Sequence, residues 1–441
     1  MKARRIYSNM KRIFLALVLF SISISAIFAQ TANIYEQRAQ EVISILNEPK
    51  DLEKFLSAGL LAQVPPAQFA EVSNQLLTAY GKALKVEKIV KRSEYDGQIT
   101  VSFEKGVVAE INLTLEDKSP FLIRGLRITS VGKATNSLED VIAELKTFPA
   151  QTGLSVVKLN DKDFQTLAAH NADKPLAIGS TFKLYILSEL VRSISAGERK
   201  WTDVVELKHF SLPSGMMQNW DKNSPVTLHT LATMMISISD NTATDQLLMT
   251  LGRENVEKMM SIAGNSNPNL SIPFLSTFEM FKLKGVQNPK IAESYLAKDV
   301  KGRRAMLENE IAKFTAENIE FEGFLAKPTY ISQLEWFASP NDLARLMNWL
   351  RLNTTKAPAD KARGVMTTNK ALPERESSAW NYVGFKGGSE TGVISMTYLL
   401  QSKKGEWFVV SGSWNDEKSA VDDTRFALLM QKTVKILREK S

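Results

Sequence analysis

The spacing of apolar residues along the chain changes from a helical period to a strand period and back again. Between Ala32 and Ala83 the spacing predicts three helical segments, which are separated by prolines at position 49 and at positions 65–66. The third segment is amphipathic, with apolar residues at Phe69, Val72, Leu76, Leu77 and Tyr80. Four runs with a period of two follow, near residues 85–90, 98–103, 107–115 and 121–128. Helices followed by an antiparallel sheet predict a small α+β domain over residues 30–135.

A second, larger domain is predicted over residues 137–441, after a polar linker from Ser130 to Asn136. The 441 residues exceed what one compact core normally holds. In this domain we expect a helix at 138–145, a strand at 154–158, a strand-rich stretch at 382–413 and a final helix at 421–438. The fold class is therefore predicted as α/β with more than one domain.

The first 29 residues have the composition of a secretory signal peptide. Five basic residues precede an uncharged apolar run from Ile13 to Phe28, and small residues up to Ala29 suit a cleavage site. We expect cleavage after Ala29 and a periplasmic or secreted protein. The alternative is an uncleaved membrane anchor, for which the apolar run is short.

Removal of that segment also removes most of the net charge. The formal charge of the chain is +7, and the segment contributes five basic and no acidic residues, so that 7 − 5 leaves +2. A nearly neutral protein lacks the electrostatic support for nucleic-acid binding. The sequence contains no Cys, which excludes disulfides and thiolate chemistry. Its three His show no metal-binding spacing, so we expect neither a metal nor a cofactor.

A hydroxyl and an amine are predicted to lie one helical turn apart at Ser180 and Lys183. Other Ser-x-x-Lys sequences occur in the chain, but only Ser180 follows a glycine and opens an apolar helix through Leu184, Leu187 and Val191. An amine in this position can accept the hydroxyl proton, which makes Ser180 a candidate nucleophile. The alternative is that Ser180 only caps the helix.

Two further motifs follow Ser180 in a fixed order. Ser239-Asp240-Asn241 ends one helical run, and Lys386-Gly387-Gly388-Ser389 enters an apolar strand. Either motif taken singly is typical of a turn or a solvated strand. The ordered set resembles that of class A β-lactamases and penicillin-binding proteins, and the resemblance extends over residues 154–441. It implies an antiparallel sheet flanked by helices, an all-helical subdomain and a small-molecule substrate.

The resemblance also implies a role for each residue of the motifs. Ser180 would attack a carbonyl carbon, Lys183 would accept its proton, and Ser239 would bridge Lys183 to Lys386 and pass a proton to the leaving nitrogen. The substrate-binding candidates are Asn241, Gly388, Ser389 and Thr391. The hydroxyl that usually follows the strand lysine is replaced by Gly387, so recognition of a substrate carboxylate would fall to Ser389, Thr391 or Lys386.

Hydrolysis of an acyl-enzyme needs a carboxylate that activates water. Glu279 is the best match to the family position, 38 residues after Asn241, although the Asn expected after it is absent. An insertion from about Lys284 to Leu334 follows. Glu320, Glu322 and Glu335 are the competing candidates.

The amino-terminal domain is expected to be a packing or binding module. With the serine domain behind it, it resembles the nuclear-transport-factor-2-like (NTF2-like) or cystatin-like module of the two-domain β-lactamase-like proteins of clavulanic acid biosynthesis clusters. Three functions remain open at this point: hydrolysis of a β-lactam, action on an ester or a cell-wall peptide as an esterase or D,D-peptidase, and a penicillin-binding or scaffold role with slow deacylation. Dimerisation or partner recruitment through the amino-terminal domain is compatible with each of them.

Overall fold

The computed structural model describes residues 34–440 apart from 134–136, 162, 287, 321–322 and 324–325. The predicted signal peptide lies outside the described residues. The chain divides into two compact units, residues 1–135 and residues 136–441. In the described part of the chain, no helix combines the length and the apolar character that crossing a bilayer requires.

The first unit consists of helices followed by a four-stranded antiparallel sheet, as the change of period predicts. The helices are α1 (34–47), α2 (Ala58–Gln63) and α3 (Pro66–Tyr80), and the strands, in the spatial order β1-β2-β3-β4, are β1 (Ala83–Lys91), β2 (Asp96–Phe103), β3 (Val107–Leu115) and β4 (Ile123–Lys133). Alternate residues of β2 and β3, such as Ile99 and Ile111, are fully buried in a core shared with α1. The unit is therefore α+β, and its resemblance to an NTF2-like module stays a prediction.

The predicted linker is wrong in its first half, because β4 continues to Lys133. Ser130 pairs with Glu110 of β3, and Gly132 pairs with Val108. Ser130 is half-buried. An antiparallel sheet accepts polar residues on its solvent-facing side, so polarity did not mark a break in structure here. Residues 134–136 lie outside the described part.

The second unit is built on a five-stranded antiparallel sheet. Its strands run in the spatial order β11-β12-β13-β5-β6, namely β11 (Tyr382–Glu390), β12 (Val393–Gln401), β13 (Trp407–Asn415), β5 (Gln151–Leu159) and β6 (Phe164–His170). Two short pairs accompany it, β7 (Leu176–Ala177) with β10 (Phe337–Ala338) and β8 (Val204–Glu206) with β9 (Pro225–Thr227). The strands predicted at 154–158 and within 382–413 are confirmed.

Helices cover both faces of this sheet. The described helices are α4 (Leu138–Leu145), α5 (Lys183–Ser195), α6 (Leu228–Ser237), α7 (Asn241–Leu251), α8 (Arg253–Ile262), α9 (Thr277–Gly285), α10 (Pro289–Leu296), α11 (Val300–Asn309), α12 (Pro340–Asn353), α13 (Lys361–Met366), α14 (Glu374–Ser378) and α15 (Asp423–Lys440). The helices predicted at 138–145 and 421–438 correspond to α4 and α15.

The two faces of the sheet bury different apolar clusters. Tyr398 and Val410 pair across β12 and β13 and point toward the cluster formed with α4 and α15. The neighbouring pair Leu399 and Val409 points to the other face, into the larger cluster that includes α5. Every residue of α5 from Lys183 to Val191 is buried, so this helix lies inside the unit and not on its surface.

Candidate active site

Ser180 lies in a 3₁₀ turn, Gly179–Phe182, that leads directly into α5. Lys183 is the first residue of α5, so the hydroxyl and the amine are separated by one turn at the junction of the two helices. The N-cap positions are Ile178 for the turn and Phe182 for α5, and neither makes a side-chain cap. The interpretation of Ser180 as a helix cap is therefore wrong. Its side chain is half-buried, whereas Lys183 is completely buried.

Two glycines let strand β11 approach the turn that carries Ser180. A Cβ atom on Gly388 would lie 2.2 Å from the main-chain nitrogen of Ser180 and 2.5 Å from the carbonyl oxygen of Ile178. A Cβ atom on Gly179 would lie 3.1 Å from the main-chain nitrogen of Ser389. The absence of side chains at positions 179 and 388 therefore brings the peptide groups of Ser180 and Ser389 into adjoining positions.

Ser239 lies just beyond the end of α6 and connects the two lysines. Its hydroxyl accepts hydrogen bonds from the Nζ atoms of Lys183, at 3.0 Å, and of Lys386, at 3.1 Å. Its φ angle is +59°, a left-handed conformation that costs a non-glycine residue about 1 kcal/mol or more. Residues that are 56 and 147 positions away from Ser239 in the chain thus meet at one oxygen atom.

The surroundings of the two amines disfavour their charged forms. Burial, together with the positive charge of Lys386, lowers the pKa of Lys183 well below its ordinary value, although Asp245 and Asp240 act in the opposite direction. Burial lowers the pKa of Lys386 to about 7. Lys183 also donates to the carbonyl oxygen of Ser239, at 2.6 Å, and to Oδ1 of Asn241, at 2.7 Å. The lowered pKa makes the neutral, proton-accepting form of Lys183 more accessible within one turn of Ser180.

Lys386 of strand β11 belongs to a row of polar residues that crosses the sheet. Lys386 pairs with Thr397, which pairs with Ser411, and Ser411 pairs with Ser155. The hydroxyls of Thr397 and Ser411 are 3.0 Å apart and are fully buried.

Asp240 holds the loop around the site and does not face a substrate. Its Oδ1 accepts from the main-chain nitrogen of Ala243, which caps α7, and its Oδ2 accepts from the nitrogens of Met216, at 2.7 Å, and Met217, at 2.8 Å. A Cβ atom on Gly215 would lie 2.3 Å from Asp240 Oδ2. Asp240 therefore has a structural role, because it fixes the loop at residues 215–217 to the start of α7.

The substrate-binding candidates lie around this group. Asn241 begins α7, and its Nδ2 donates to the carbonyl oxygen of Leu212 at 3.0 Å, so one of its two amide hydrogens is already used. Ser389 is exposed near the end of β11, and Gly388 contacts the Ser180 turn as described. Thr391 lies further on, in the turn between β11 and β12.

The carboxylate of Glu279 is engaged in α9 and with Arg253. Its Oε1 and Oε2 accept from the guanidinium group of Arg253 at 2.7 and 2.9 Å. Oε2 also accepts from the main-chain nitrogen of Ser276, which completes a capping box at the start of α9. In the described part of the chain, Glu279 makes no hydrogen bond to Ser180, Lys183 or Ser239. These contacts explain its position without a bound water, and its role as a base stays a prediction.

The three competing glutamates differ in their surroundings. Glu320 is exposed, and Glu322 lies outside the described residues. Glu335 is buried and forms an ion pair with Lys284 of α9, which also pairs with Glu390 of β11. No sequence pattern connects these three residues, since Glu335 and Glu390 lie 51 and 106 positions after Lys284.

Asp245 is a buried carboxylate near Lys183 that the motifs did not indicate. It accepts hydrogen bonds from the main-chain nitrogens of Thr277, at 2.7 Å, and Phe278, at 2.9 Å, and from the Thr277 hydroxyl at 2.9 Å. Burial, assisted by the charge of Glu279, raises the pKa of Asp245 to about 6 against the effect of these hydrogen bonds. The available signal in the sequence was a lone acidic residue within α7, soon after the Ser239-Asp240-Asn241 motif.

The histidines do not contribute to this group of residues. His170 contacts Thr152, and the ring of His229 packs edge-on against Trp201. Across the described residues, no three His, Cys, Asp or Glu side chains come together in an arrangement that could hold a metal ion.

Several known proteins resemble this chain. A β-lactamase from Sphaerobacter thermophilus is 18% identical, with a TM-score of 0.49 over 69% of this chain and 96% of its own. A β-lactamase from Chitinophaga pinensis is 13% identical, with a TM-score of 0.47 over 69% and 97%. The penicillin-binding protein PBP-A is 16% identical, with a TM-score of 0.46 over 70% and 96%. No curated protein matches the chain.

The family model described as the β-lactamase enzyme family matches residues 133–375. The matched region contains Ser180, Lys183, Ser239 and Glu279 and ends before strand β11, which carries Lys386. Because the match covers more than half of the 441 residues, this chain belongs to the β-lactamase enzyme family.

Proposed function

We propose that this protein is an exported serine hydrolase of the class A β-lactamase type, in which a β-lactam acylates Ser180. The observation that carries the proposal is the shared contact of Lys183 and Lys386 with the Ser239 hydroxyl, one turn from Ser180. Export is proposed on the sequence of residues 1–29, and membership of the β-lactamase enzyme family supports the reaction class.

In the first step, the Ser180 oxygen attacks the carbonyl carbon of the β-lactam ring, and the neutral amine of Lys183 accepts the hydroxyl proton. The carbonyl oxygen becomes negatively charged in the tetrahedral intermediate. The main-chain N–H groups of Ser180 and Ser389 are the proposed donors to this oxyanion, because Gly179 and Gly388 bring the two segments into contact.

In the second step, the tetrahedral intermediate collapses and the bond between carbon and ring nitrogen breaks. The nitrogen takes a proton from the Ser239 hydroxyl, which regains one from Lys183. Lys386 contributes positive charge at this position while it is protonated. The products of the step are a Ser180 ester and a secondary amine, with no net change in protons.

Substrate recognition is proposed for the residues around Ser239. Asn241 has one amide hydrogen beyond its contact with Leu212, and this hydrogen can bind an acylamide oxygen of the substrate. Ser389, Thr391 and Lys386 are the proposed partners of a substrate carboxylate.

A second candidate function is penicillin binding with a persistent acyl-enzyme. The engagement of Glu279 by Arg253 and Ser276 favours it, because a carboxylate held in this way has little capacity left to activate water. The acylation step is the same in both candidates, and the fate of the Ser180 ester distinguishes them.

Time-resolved intact mass spectrometry after addition of a penicillin tests both candidates. We expect the mass of one penicillin on the wild-type protein and none on Ser180→Ala. Ser188→Ala is the matched control, since Ser188 is buried in the same helix and its hydroxyl donates to the carbonyl oxygen of Leu184. Loss of the adduct within minutes supports a hydrolase, and persistence supports a penicillin-binding protein. A wild-type protein that remains unlabelled contradicts the proposal, and turnover of an activated ester by that protein points to an esterase.

A further inference from the structure

A buried cluster of three charged side chains connects three separate segments of the second unit. The Nζ atom of Lys284, in α9, pairs with Glu335, just before β10, and with Glu390, at the end of β11, 2.7 Å away. The side chains of Lys284 and Glu335 are 0% exposed, and that of Glu390 is 18% exposed. The mechanism proposed above uses none of these residues.

The cluster contains one amine and two carboxyl groups. Burial, together with the nearby Glu390, raises the pKa of Glu335 well above its ordinary value. Burial opposes the charge on Lys284, but the two glutamates outweigh this effect and raise the pKa of the amine. Among the described residues, Oε2 of Glu335 is buried without a hydrogen-bond partner. These shifts favour a charged Lys284 and a protonated Glu335.

The segment that contains Glu335 also contacts the turn with Ser180. The carbonyl oxygen of Trp336, the next residue, accepts a hydrogen bond from the nitrogen of Ile178 at 3.0 Å. The Trp336 ring stacks on Phe182, with 3.7 Å between ring centroids and 16° between planes. Trp336 thus contacts the residues at both ends of the turn, Ile178 and Phe182. The adjacent Glu335 is connected to β11 by Lys284, which pairs with Glu335 and Glu390.

Glu390 completes the connection, because it directly follows Ser389. The cluster therefore links the two peptide groups that the proposed mechanism assigns to the oxyanion, one in the Ser180 turn and one in β11. Replacing a buried ion pair by apolar residues is often neutral or stabilising, so stability does not by itself account for these charges.

We propose that Glu335 is a positioning residue, which through Lys284 and Glu390 holds the Ser389 end of β11 at the distance from Ser180 that acylation requires. The inference rests on the proposed acylation of Ser180. Glu335 acts through its neighbours and does not itself touch the substrate. A carboxamide at position 335 keeps the shape and the hydrogen-bonding capacity of the neutral carboxyl group, whereas an apolar side chain does not.

Rapid-quench mass spectrometry of the full chain with a penicillin separates the non-covalent Kd from the acylation rate constant. We expect Glu335→Gln to acylate within about twofold of the wild-type rate. We expect Glu335→Leu to acylate at least about tenfold more slowly with little change in Kd, because weakened oxyanion contacts act in the transition state. Should Glu335→Leu fail to fold, the double variant Lys284→Met/Glu335→Leu, which leaves no unpaired amine, is expected to fold and to acylate slowly.

Glu376→Leu is the matched control. Glu376 is also a partly buried glutamate with a basic partner, Arg438, and with one buried oxygen that has no hydrogen-bond partner among the described residues. We expect this variant to lose stability and to keep its acylation rate.

Two results overturn the inference while the wild-type protein is acylated: a wild-type acylation rate in the Glu335→Leu and double variants, or an equal loss of rate in Glu335→Gln and Glu335→Leu. A wild-type protein that is never acylated contradicts the proposed function instead.

Discussion

At the scale of single residues, the Ser239 hydroxyl brings two amines together, and burial disfavours the charged form of each, with the charge of Lys386 adding to this effect at Lys183. Two buried cations that share one acceptor repel each other, so the site favours states with at most one charged lysine. Their titrations are coupled for the same reason. The arrangement is costly for folding and useful for a reaction that needs a neutral amine.

The cost appears as a dependence of stability on pH. A lysine in the unfolded chain has a pKa of about 10.4, while Lys386 in the folded protein has a pKa of about 7. Between these values the unfolded state binds more protons, so the free energy of unfolding rises with pH. We expect a smaller rise in Lys386→Met than in wild type between pH 7 and 10, and higher stability than wild type at pH 6–7. Urea unfolding at several pH values measures both.

The same variant is expected to lose most of its acylation, since the site no longer has its second amine. Lys370→Met is the control, because Lys370 is exposed. Equal slopes of stability against pH in wild type and Lys386→Met would show that Lys386 is an ordinary, solvated lysine.

Gly388 tests the contact between β11 and the Ser180 turn. A methyl group there would lie 2.2 Å from the nitrogen of Ser180, so Gly388→Ala must push the strand and the turn apart. A displacement of about 1 Å can reduce a reaction rate by about 100-fold, and we expect a loss of acylation of that order. The rate of penicillin attachment measures it.

Gly364→Ala is the matched control for this substitution, because a Cβ atom on Gly364 has no neighbour within 4 Å and the residue lies in helix α13. It should keep the wild-type rate and gain a little stability, up to about 1 kcal/mol. Wild-type acylation in Gly388→Ala would contradict the proposed contact.

At the scale of elements, α9 carries residues with different tasks. Glu279 lies in the first turn of α9, where it completes the capping box and pairs with Arg253. Lys284, near the C-terminal end of the same helix, pairs with Glu335 and Glu390. Ion pairs thereby connect the first turn of α9 to α8 and its last turn to Glu335 and strand β11. Thr277, its first residue, is bound to Asp245 in α7, the helix that begins with Asn241.

We expect Glu279→Ala to lower the free energy of unfolding by about 1–3 kcal/mol, since it removes both a capping box and a largely buried ion pair. If Glu279 is purely structural, deacylation after a penicillin pulse should be as fast as in wild type. Arg253→Met should destabilise similarly, and the double variant should show less than the sum of the two effects. A selective arrest at the acyl-enzyme would instead establish Glu279 as the base.

At the scale of the whole molecule, each unit has a core of its own. Tyr35, Ile99 and Ile111 belong to a cluster within the first unit, whereas the clusters on either side of the second unit's sheet contain only residues beyond position 137. Units with separate cores can unfold separately.

We expect calorimetry of the mature chain to show two transitions. We also expect a chain of residues 137–441 to fold and to be acylated by penicillin at the wild-type rate. A single transition in the mature chain, with no folding of residues 137–441 in isolation, would show that the second unit depends on the first. Dimerisation or partner binding through the first unit stays a prediction.

The sequence by itself determined the local elements and the reacting groups. The spacing of Phe69 and Leu76 in α3 and the alternation in β2 and β3 report which face of each element is buried, because side chains at these spacings lie on one face of a helix or strand. Val72, which shares the predicted apolar spacing, is exposed. Ser180, Lys183, Ser239 and Lys386 could be selected because short motifs mark them in a fixed order. The continuation of β4 to Lys133 could not be predicted, because pairing with β3 and not local polarity decided it.

Tertiary structure alone decided how these groups are charged and what surrounds them. The low pKa of Lys386 results from its burial, and burial arises from packing between segments that are distant in the chain. The contacts of Glu279 with Arg253, and the cluster of Lys284, Glu335 and Glu390, likewise join residues that carry no shared pattern. Electrostatic energy depends on the distances between charges in space and on the exclusion of water, and neither can be read from the order of residues in the chain.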